Sequence, residues 1–298
     1  MFINGYQIMK SGFVAIIGRP NVGKSTLLNA LIGKKVSIVS NKPQTTRLAI
    51  QGVYHGRGLQ IVFVDTPGIH KPKARLGEIM NAQAYAALQD IDAVILLVDA
   101  SKVFGAGDQF LVQRLTVIPQ LMVVFNKIDQ TNVQLIEQLK STYLTLLPQG
   151  KQMEISALKG TFVEDLIENI KPLLKTGPAF FPKDVLTNFP ESFQLIEAIR
   201  EQILHLTYEE IPHSVAIVID QLKTEENKRQ LYASIIVEKD SQKGILIGKG
   251  GSMLRKIRQR VVQQVEKNMG LTLSLELFVK VEPNWRDSPN RLKEYGLF

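Results

Sequence analysis

One glycine-rich segment, Gly18–Ser25, constrains the fold more than any other part of the sequence. It reads G-R-P-N-V-G-K-S and carries every fixed position of the phosphate-loop pattern G-x-x-x-x-G-K-[ST]. The branched apolar run at 13–17 predicts a buried parallel strand before the loop, and the apolar stripe at 26–32 predicts a helix after it. This order aims backbone N–H groups and the positive end of a helix at an anion. An α/β fold with a phosphate site at a strand end is therefore expected.

The residue types in this loop have distinct physical roles. Gly18 and Gly23 allow the backbone to turn tightly around an anion. Lys24 can reach the terminal phosphates of a nucleotide, and the Ser25 hydroxyl can ligate Mg²⁺. The nucleotide-binding residues expected from this segment are Gly18, Arg19, Pro20, Asn21, Val22, Gly23, Lys24, Ser25 and Thr26.

Strand and helix patterns alternate over residues 1–178, which predicts a mostly parallel sheet covered on both faces. The apolar runs predict strands around 13–17, 60–64, 93–98, 121–125 and 152–155. Helical patterns lie around 24–32, 81–89, 109–115, 132–147 and 163–174. Ligands of such sheets bind beyond the carboxyl ends of the strands, where the glycine loop lies.

The pattern changes after residue 178. Residues 179–190 are rich in proline and poor in periodic apolar positions, so we expect a linker there. In residues 191–298, amphipathic helices are expected at 192–206 and 253–265, and strands at 215–220, 234–238 and 271–281. We therefore expect a nucleotide-binding domain at 1–178 and a smaller α+β domain with a C-terminal tail at 191–298.

Composition excludes several classes of protein. The chain has 298 residues, no cysteine and a formal net charge of +8. The sequence therefore has no disulfides or cysteine-based zinc sites, no apolar run long enough to span a membrane and no signal-peptide pattern. Six basic residues and no acidic one lie between Lys243 and Arg260. This local patch, rather than the total charge, predicts a nucleic-acid site.

A second motif follows a predicted strand and can contact the metal and phosphates of a nucleotide. Asp65, Thr66, Pro67 and Gly68 follow the strand at 60–64. The Asp65 carboxylate can hold Mg²⁺ directly or through water, and the Gly68 N–H can approach a γ-phosphate. Ser25 and Asp65 are therefore expected metal ligands.

The third motif, Asn126-Lys127-Ile128-Asp129, follows the strand at 121–125. Asp129 can accept hydrogen bonds from guanine N1–H and from its exocyclic amine, whereas adenine lacks this pair of donors. The next strand is followed by Ser156, Ala157 and Leu158, and the Ala157 N–H could donate to guanine O6. GTP is therefore expected and ATP disfavoured.

The order of these motifs resembles that of the translation-factor-related GTPases. The resemblance implies that Thr46 ligates Mg²⁺ when GTP is bound, with its neighbour Thr45 as the alternative that the sequence leaves open. It also implies that Asn21 helps to hold K⁺, because Ile69 replaces the glutamine that orients water in the small signalling GTPases. The resemblance places Lys71–Arg75 in the second switch. The expected catalytic residues are Lys24, Thr46, Gly68 and Asn21.

The segment Gly248-Lys249-Gly250-Gly251 fits the G-x-x-G loop of a KH domain, which clamps single-stranded nucleic acid. The following basic helix supplies positive charge for a phosphate backbone. The expected RNA-binding residues are Lys243, Gly248, Lys249, Gly250, Gly251, Arg255, Lys256 and Arg258. Trp285 could stack on a base or pack on the domain, and the sequence leaves both open.

Taken together, the motifs resemble the Era GTPases over essentially the whole chain. Supporting stretches include Pro43-Gln44-Thr45-Thr46-Arg47, residues 245–251 and Trp285-Arg286-Asp287-Ser288-Pro289. The resemblance implies a P-loop GTPase domain with a mostly parallel sheet plus a type II KH domain, with GTP/GDP, Mg²⁺ and K⁺ as cofactors. It implies a monomer that binds the 3′ end of 16S rRNA and assists 30S ribosomal subunit assembly. It also implies a cytoplasmic location with peripheral inner-membrane association.

Two other functions stay open, and a third is disfavoured. The chain could be a membrane-associated or cell-cycle signalling GTPase whose KH module binds protein. It could also be a non-catalytic RNA chaperone in which the nucleotide only orders the fold. An ATPase is disfavoured by Asp129.

Overall fold

A computed structural model of the chain describes residues 2–3, 6–40, 42, 45–68, 74–88, 90–116 and 118–297. The chain forms two compact units. The first unit comprises the described residues within 1–37, 46–71 and 80–188. The second comprises those within 38–45, 72–79 and 189–298. Two short stretches of the N-terminal half thus belong to the second unit.

The N-terminal half alternates strands and helices. Two short strands, β1 (Phe2–Ile3) and β2 (Tyr6–Gln7), come first. The strands that follow are β3 (Met9–Ile17), β4 (Ile50–Gly56), β5 (Leu59–Asp65), β6 (Ala93–Asp99), β7 (Leu121–Asn126), β8 (Lys151–Glu154) and β9 (Lys175–Gly177). The helices are α1 (Lys24–Ile32), α2 (Arg75–Ala86), α3 (Ala106–Leu115), α4 (Val133–Leu146) and α5 (Val163–Ile170).

A seven-stranded sheet in the order β4-β5-β3-β6-β7-β8 forms the centre of the first unit, with β9 paired to the start of β3. Strands β5, β3, β6, β7 and β8 run parallel, whereas β4 and β9 are antiparallel to their neighbours. Strands such as β5 and β7 are buried along their whole length, which explains why their sequences are mostly apolar. All carboxyl ends of the parallel strands therefore meet at one edge, where the three predicted motifs lie.

The stretch 179–190, expected to be a linker, is bonded to the first unit over most of its length. The Gln60 side chain accepts the N–H groups of Phe180 and Phe181 at 2.6 and 3.1 Å. The Val53 N–H donates to the Leu186 carbonyl at 2.9 Å, and the Phe180 ring packs edge-on against Phe13. Low apolar periodicity does not reveal these contacts, because most of them are made by the backbone.

The C-terminal part of the chain is an α+β unit built around a three-stranded sheet. Its strands are β10 (Ala216–Glu225), β11 (Lys228–Val237) and β12 (Thr272–Val281). Its helices are α6 (Glu191–Leu206), α7 (Asp240–Ile247), α8 (Ser252–Met269) and α9 (Pro289–Glu294). In the order β10-β11-β12, the first pair is antiparallel and the second parallel. The element order α-β-β-α-α-β is that of a type II KH domain, as expected.

Apolar side chains from the helices and the sheet form one core in this unit. The inward positions of β12 are Leu273, Leu275 and Leu277, and they pack with Ile257, Val261 and Val265 of α8. Helix α7, which was not expected from the sequence, ends at Ile247, directly before the glycine loop. No helix of the described part of the chain is long and apolar enough to cross a membrane.

Candidate functional site: a nucleotide site and a nucleic-acid groove

The loop Gly18–Ser25 leads directly into the N-terminus of α1. The first hydrogen bond of this helix runs from the Leu27 N–H to the Gly23 carbonyl at 2.8 Å. The N–H groups of residues 24–26 come before it and have no acceptor inside the helix. Together with the helix dipole, these donors form an anion site.

Close packing explains why two loop positions are glycine. A Cβ at Gly18 would lie 2.5 Å from the Leu97 carbonyl oxygen. At Gly23, where φ is 102°, a Cβ would collide with the side-chain amide of Asn126. Both positions therefore require glycine for space, and the second also for its backbone conformation.

Lys24 is buried beneath the loop with only 7% of its surface exposed. Its ammonium donates to the carbonyls of Gly18 and Arg19 at 3.1 and 3.0 Å. Burial lowers the pKa of Lys24 to about 8, although the nearby Asp65 carboxylate opposes this shift. A phosphate placed over the loop would favour the charged form again.

Four oxygen-bearing side chains meet at the end of β5. Asp65 Oδ2 accepts from the hydroxyls of Ser25, Thr46 and Ser37 at 2.8, 3.2 and 3.2 Å. Burial raises the pKa of Asp65, while the Lys24 ammonium and the three hydroxyls act in the opposite direction. Sequence reasoning expected three of these oxygen donors, and Ser37 is an addition.

This oxygen cluster fits Mg²⁺. Asp65 Oδ1 is buried and has no hydrogen-bond partner among the described residues. The hydroxyls of Ser25 and Thr46 are 2.9 Å apart, close to the ~3 Å between adjacent ligands of an octahedral ion with bonds of about 2.1 Å. The oxygen donors are also of the hard type that Mg²⁺ prefers.

The structure separates the two neighbouring threonines. Thr46 joins the cluster, whereas the Thr45 hydroxyl donates to the Lys42 carbonyl at 2.6 Å. Thr66, expected at the nucleotide, instead donates its hydroxyl to the Ile16 carbonyl at 2.9 Å and ties β5 to β3. Pro67 is buried beside it. The Thr66 and Pro67 side chains thus shape the strand end, without a polar atom free for the nucleotide.

Gly68 lies against the loop, since a Cβ there would come within 3.1 Å of three Pro20 atoms. Arg19 points its guanidinium away to Asp108 at the start of α3, with an N–O distance of 2.7 Å. The Arg19 side chain therefore braces the loop from outside, and its backbone carbonyl holds Lys24. Ile69 and residues 71–73 of the expected second switch lie outside the described residues.

Asn126 joins the phosphate loop to the expected base site. Its amide donates to the Val22 carbonyl at 2.8 Å and accepts the Ala157 N–H at 2.9 Å. The Ala157 donor, expected for guanine O6, is thus already used within the protein, and a base would have to share or take it. Ala157 is buried, whereas the Leu158 side chain is 68% exposed at the rim.

Lys127 bridges the loop to the end of β6. Its ammonium donates to the Asn21 carbonyl at 2.8 Å and to Asp99 at 2.7 Å. Burial would raise the pKa of Asp99, but hydrogen bonds from Lys127 and Ser101 outweigh it and hold this pKa below its ordinary value. Sequence reasoning missed Asp99, although it closes β6 as Asp65 closes β5.

Asp129 is exposed, so the protein alone does not bury its carboxylate. Its Oδ1 accepts the Ser156 hydroxyl at 2.6 Å, and this bond lowers the pKa of Asp129. The carboxylate is therefore charged and oriented before any base arrives, and a bound base would itself supply the burial.

Asn21 has a left-handed backbone conformation, with φ of 64°. Asparagine tolerates this conformation better than most residues, so the backbone gives a reason for this residue independent of any cation. Asn21 is an exposed residue of the phosphate loop.

The G-x-x-G loop of the second unit connects α7 to α8. Gly248, Gly250 and Gly251 have φ of 71°, 59° and 77°. A Cβ at Gly248 would lie 2.8 Å from the Met253 nitrogen, whereas those at Gly250 and Gly251 would meet open space. Lys249 is exposed at the tip, so the loop presents backbone and one ammonium to solvent.

A groove of about 150 Å³ runs from this loop between α8 and β12, lined by Gly251, Leu254, Arg255, Arg258, Glu276 and Leu277. Arg255 donates to the Gly250 carbonyl at 3.2 Å, and Arg258 pairs with Glu276 at 3.1 Å. Lys256 is exposed on α8 outside this lining, and Lys243 is half-buried on α7. The groove therefore combines apolar walls, the cationic Arg255 near the loop and an Arg258–Glu276 ion pair. Its apolar walls suit a stacked base, and Arg255 suits a phosphate.

Trp285 does not line this groove. It is fully buried, donates from Nε1 to the Ser214 carbonyl at 3.1 Å and packs edge-on against Tyr295. Of the two roles left open for it, the structure supports packing on the domain.

A phosphate loop with a carboxylate–hydroxyl cluster and an N-K-x-D corner defines a P-loop GTPase, here followed by a KH domain. Residues 13–127 match the family model described as "50S ribosome-binding GTPase", and residues 210–286 match the KH domain model.

Two solved structures resemble the chain over nearly its whole length. One is Era in complex with MgGDPNP and nucleotides 1506–1542 of 16S ribosomal RNA, at 37% identity and a TM-score of 0.93, covering 97% of this chain and 99% of that chain. The other is a Tyr-to-Ala variant of Aquifex aeolicus Era bound to GDP·AlF₄⁻, with the same identity and coverage and a TM-score of 0.92. The chain belongs to the Era family of GTPases.

Proposed function

We propose that this GTPase uses its KH groove to bind the single-stranded 3′ end of 16S rRNA and assists assembly of the 30S ribosomal subunit. The observation that carries the proposal is the full-length likeness to an Era protein crystallised with nucleotides 1506–1542 of that RNA. The likeness spans both the nucleotide site and the groove. The nucleotide and the RNA of that complex therefore each have a corresponding candidate site in this chain. GTP hydrolysis is assigned to 1–178 and RNA binding to 191–298, with 179–190 between them.

The side chains of the first unit suit GTP hydrolysis. The Lys24 ammonium and the N–H groups of residues 24–26 stabilise the negative charge that develops on the transferred phosphoryl group. Ser25, Thr46 and Asp65 would hold Mg²⁺, which when bound neutralises charge between the β- and γ-phosphates. Gly68 offers its N–H to the γ-phosphate, and Asp129 selects guanine.

We also propose that Asn21 contributes its amide oxygen to a K⁺ ion at the phosphates. Because Asn21 has a positive φ, Asn21→Ala would mix backbone strain with loss of the amide. Asn21→Gly removes the amide and keeps the conformation. Its GTP hydrolysis should lose the stimulation by K⁺ over Na⁺, and a rate ratio equal to that of the wild type would contradict the assignment.

RNA binding through the groove rests on charge and shape. Lys249 and Arg255 lie at the glycine loop, where they can meet two phosphates, while Leu254 and Leu277 form apolar walls for a base. Each lost phosphate contact on a single strand should reduce the slope of log affinity against log salt by about 0.7. Lys249→Ala and Arg255→Ala test this contribution directly.

A matched pair of glycine variants tests the RNA proposal. Gly250→Asp and Gly270→Asp place the same charge at the two ends of α8, at φ of 59° and 68°, each facing open space. An RNA of nucleotides 1506–1542 should lose at least tenfold in affinity for Gly250→Asp and less than twofold for Gly270→Asp. Equal losses, or no binding by the wild type, would contradict the proposal and favour the signalling GTPase whose KH unit binds protein.

The proposed cytoplasmic location, with peripheral attachment to the inner membrane, rests on the family resemblance alone. Flotation with vesicles of anionic lipid tests the attachment. Protein that stays entirely in the aqueous fraction would contradict it.

A further inference from the structure

Helix α1 carries the Ser25 hydroxyl near its start and an asparagine, Asn29, one turn further along. Residues four positions apart lie on the same face of a helix, so Asn29 and Ser25 share one face of α1. The helix ends at Gly33, whose φ of 72° turns the chain, and the Gly33 N–H donates to the Asn29 carbonyl at 3.0 Å. The chain after this turn comes back to the Asn29 side chain.

The Asn29 side chain binds the returning backbone through three hydrogen bonds. Its Oδ1 accepts the N–H groups of Val36 and Ser37, each at 2.9 Å, and its Nδ2 donates to the Ser37 carbonyl at 2.8 Å. An amide offers an acceptor and a donor at the same time, whereas an aspartate of the same shape offers acceptors only. One asparagine therefore binds both backbone polar groups of Ser37 and fixes this residue relative to α1.

Ser37 in turn binds the carboxylate at the centre of the metal cluster. The residue is only 2% exposed, and its hydroxyl donates to Asp65 Oδ2 at 3.2 Å. The same oxygen accepts the hydroxyls of Ser25 and Thr46, whereas Oδ1 is buried with no hydrogen-bond partner in the described part of the chain. The carboxylate thus has one oxygen bonded to the protein and the other available to a ligand.

Ser37 differs in one respect from the other two donors to this carboxylate. Ser25 and Thr46 are themselves expected to give their hydroxyl oxygens to Mg²⁺, and Thr46 only when GTP is bound. The Ser37 hydroxyl has no such second task. The three bonds that hold Ser37 come from Asn29 and involve none of the expected metal ligands, so we expect them to persist with either nucleotide.

We propose that Ser37 is a positioning residue of the metal site: its hydroxyl orients Asp65 so that Oδ1 is available to Mg²⁺, and Asn29 holds Ser37 in place from α1. Loss of a hydrogen bond to a ligating group typically lowers metal affinity by roughly 10- to 100-fold. The proposal rests on the Mg²⁺ site proposed above and is independent of RNA binding. All the residues concerned lie in the first unit.

The first experiment compares Ser37→Ala with a matched control, Ser11→Ala. Ser11 is another buried serine of the first unit, 4% exposed, whose hydroxyl donates to the Pro178 carbonyl at 2.8 Å. Release of a fluorescent GDP is followed over a series of Mg²⁺ concentrations and in excess EDTA. GDP is used because Thr46 is expected to ligate Mg²⁺ only with GTP.

Ser37→Ala should need about tenfold more Mg²⁺ than the wild type to slow GDP release by half, while its release in EDTA stays within twofold of the wild type. Ser11→Ala should need less than twofold more Mg²⁺. A wild-type Mg²⁺ requirement in Ser37→Ala, or an equal increase in Ser11→Ala, would overturn the role of Ser37. If release from the wild type does not depend on Mg²⁺, the metal site itself fails and the positioning role fails with it.

The second experiment tests Asn29. Asn29→Ala should raise the Mg²⁺ requirement by the same factor as Ser37→Ala, and the double variant should show no further increase, because both residues act through one hydroxyl. Multiplied losses in the double variant, or a wild-type requirement in Asn29→Ala, would overturn the role of Asn29. Thermal unfolding checks that each variant folds. If Asn29→Ala does not fold, Asn29→Asp takes its place, because it keeps an acceptor for the two N–H groups and lacks only the donor to Ser37.

Discussion

Lys24 should make nucleotide affinity fall steeply in mildly alkaline solution. In the nucleotide-free protein, burial brings its pKa down to about 8. Bound phosphates favour the charged ammonium and move the pKa up again, so binding above pH 8 requires uptake of a proton. From pH 7 to pH 9 the charged fraction of the free protein falls from roughly nine-tenths to one-tenth, which predicts about a tenfold loss of affinity.

The stability of the nucleotide-free protein should change in the opposite direction. A lysine with a lowered folded pKa binds its proton more tightly in the unfolded state, at pH values between about 8 and 10.5. The unfolded state then binds more protons, so the free energy of unfolding rises with pH in this window. Between pH 8 and 9 the rise should be about 1 kcal/mol, because the difference in bound protons grows from about one half to about nine-tenths and one full proton contributes 1.36 kcal/mol per pH unit.

Titration calorimetry with GDP and with a GTP analogue at pH 7, 8 and 9 measures the first effect, and urea unfolding at the same pH values measures the second. Lys24→Arg provides the control, because its guanidinium stays charged over this pH range. Guanine N1–H also titrates in alkali, but it does so equally with the wild type and the variant. The variant should lack the rise in the free energy of unfolding, and its affinity should show only the smaller decline that guanine itself causes. An affinity independent of pH in the wild type, or an equal decline in Lys24→Arg, would refute the assignment of a depressed pKa to Lys24.

Three further substitutions have definite expected results. Asp129→Asn should lower the affinity for GTP by roughly 10- to 100-fold, because a neutral amide replaces a charged acceptor. In a competition assay the variant should bind inosine triphosphate and GTP equally. A retained preference for GTP would contradict the role of Asp129. Thr46→Val should reduce the hydrolysis rate and the affinity for a GTP analogue with Mg²⁺ at least tenfold, with GDP affinity unchanged, and a parallel loss of GDP would point to misfolding instead. Trp285→Phe removes the donor to the Ser214 carbonyl and should lower the free energy of unfolding by about 1–3 kcal/mol, while a loss of RNA affinity in the folded variant would restore base stacking as a role.

The strands of the first unit could be predicted from sequence because their apolar runs are buried on both faces. Strands β5 to β7 lie within one or two residues of their expected positions. Strand β4 was missed, because its sequence is polar at several positions. It lies at the edge of the sheet, and several of its residues are only partly buried. Its pairing with β5 depends on partners that local periodicity does not contain.

The site was predictable where one residue type is needed for one chemical role. The loop glycines, Lys24 and Asp65 are of this kind, and the structure places them together. The roles of Arg19, Thr66 and Trp285 were not predictable, because their side chains bond to Asp108, Ile16 and Ser214, which are 89, 50 and 71 positions away. Long-range contacts of this kind decide whether a polar side chain faces a ligand or the protein.

Crosslinking of the full chain to ribosomal RNA, followed by sequencing of the bound fragments, tests the central claim most directly. Wild-type protein loaded with a GTP analogue should give fragments concentrated at the 3′ end of 16S rRNA, and Gly250→Asp should lose them while Gly270→Asp keeps them. Fragments spread over the whole RNA, or an unchanged pattern in Gly250→Asp, would contradict a GTPase that acts on this RNA end through its KH groove.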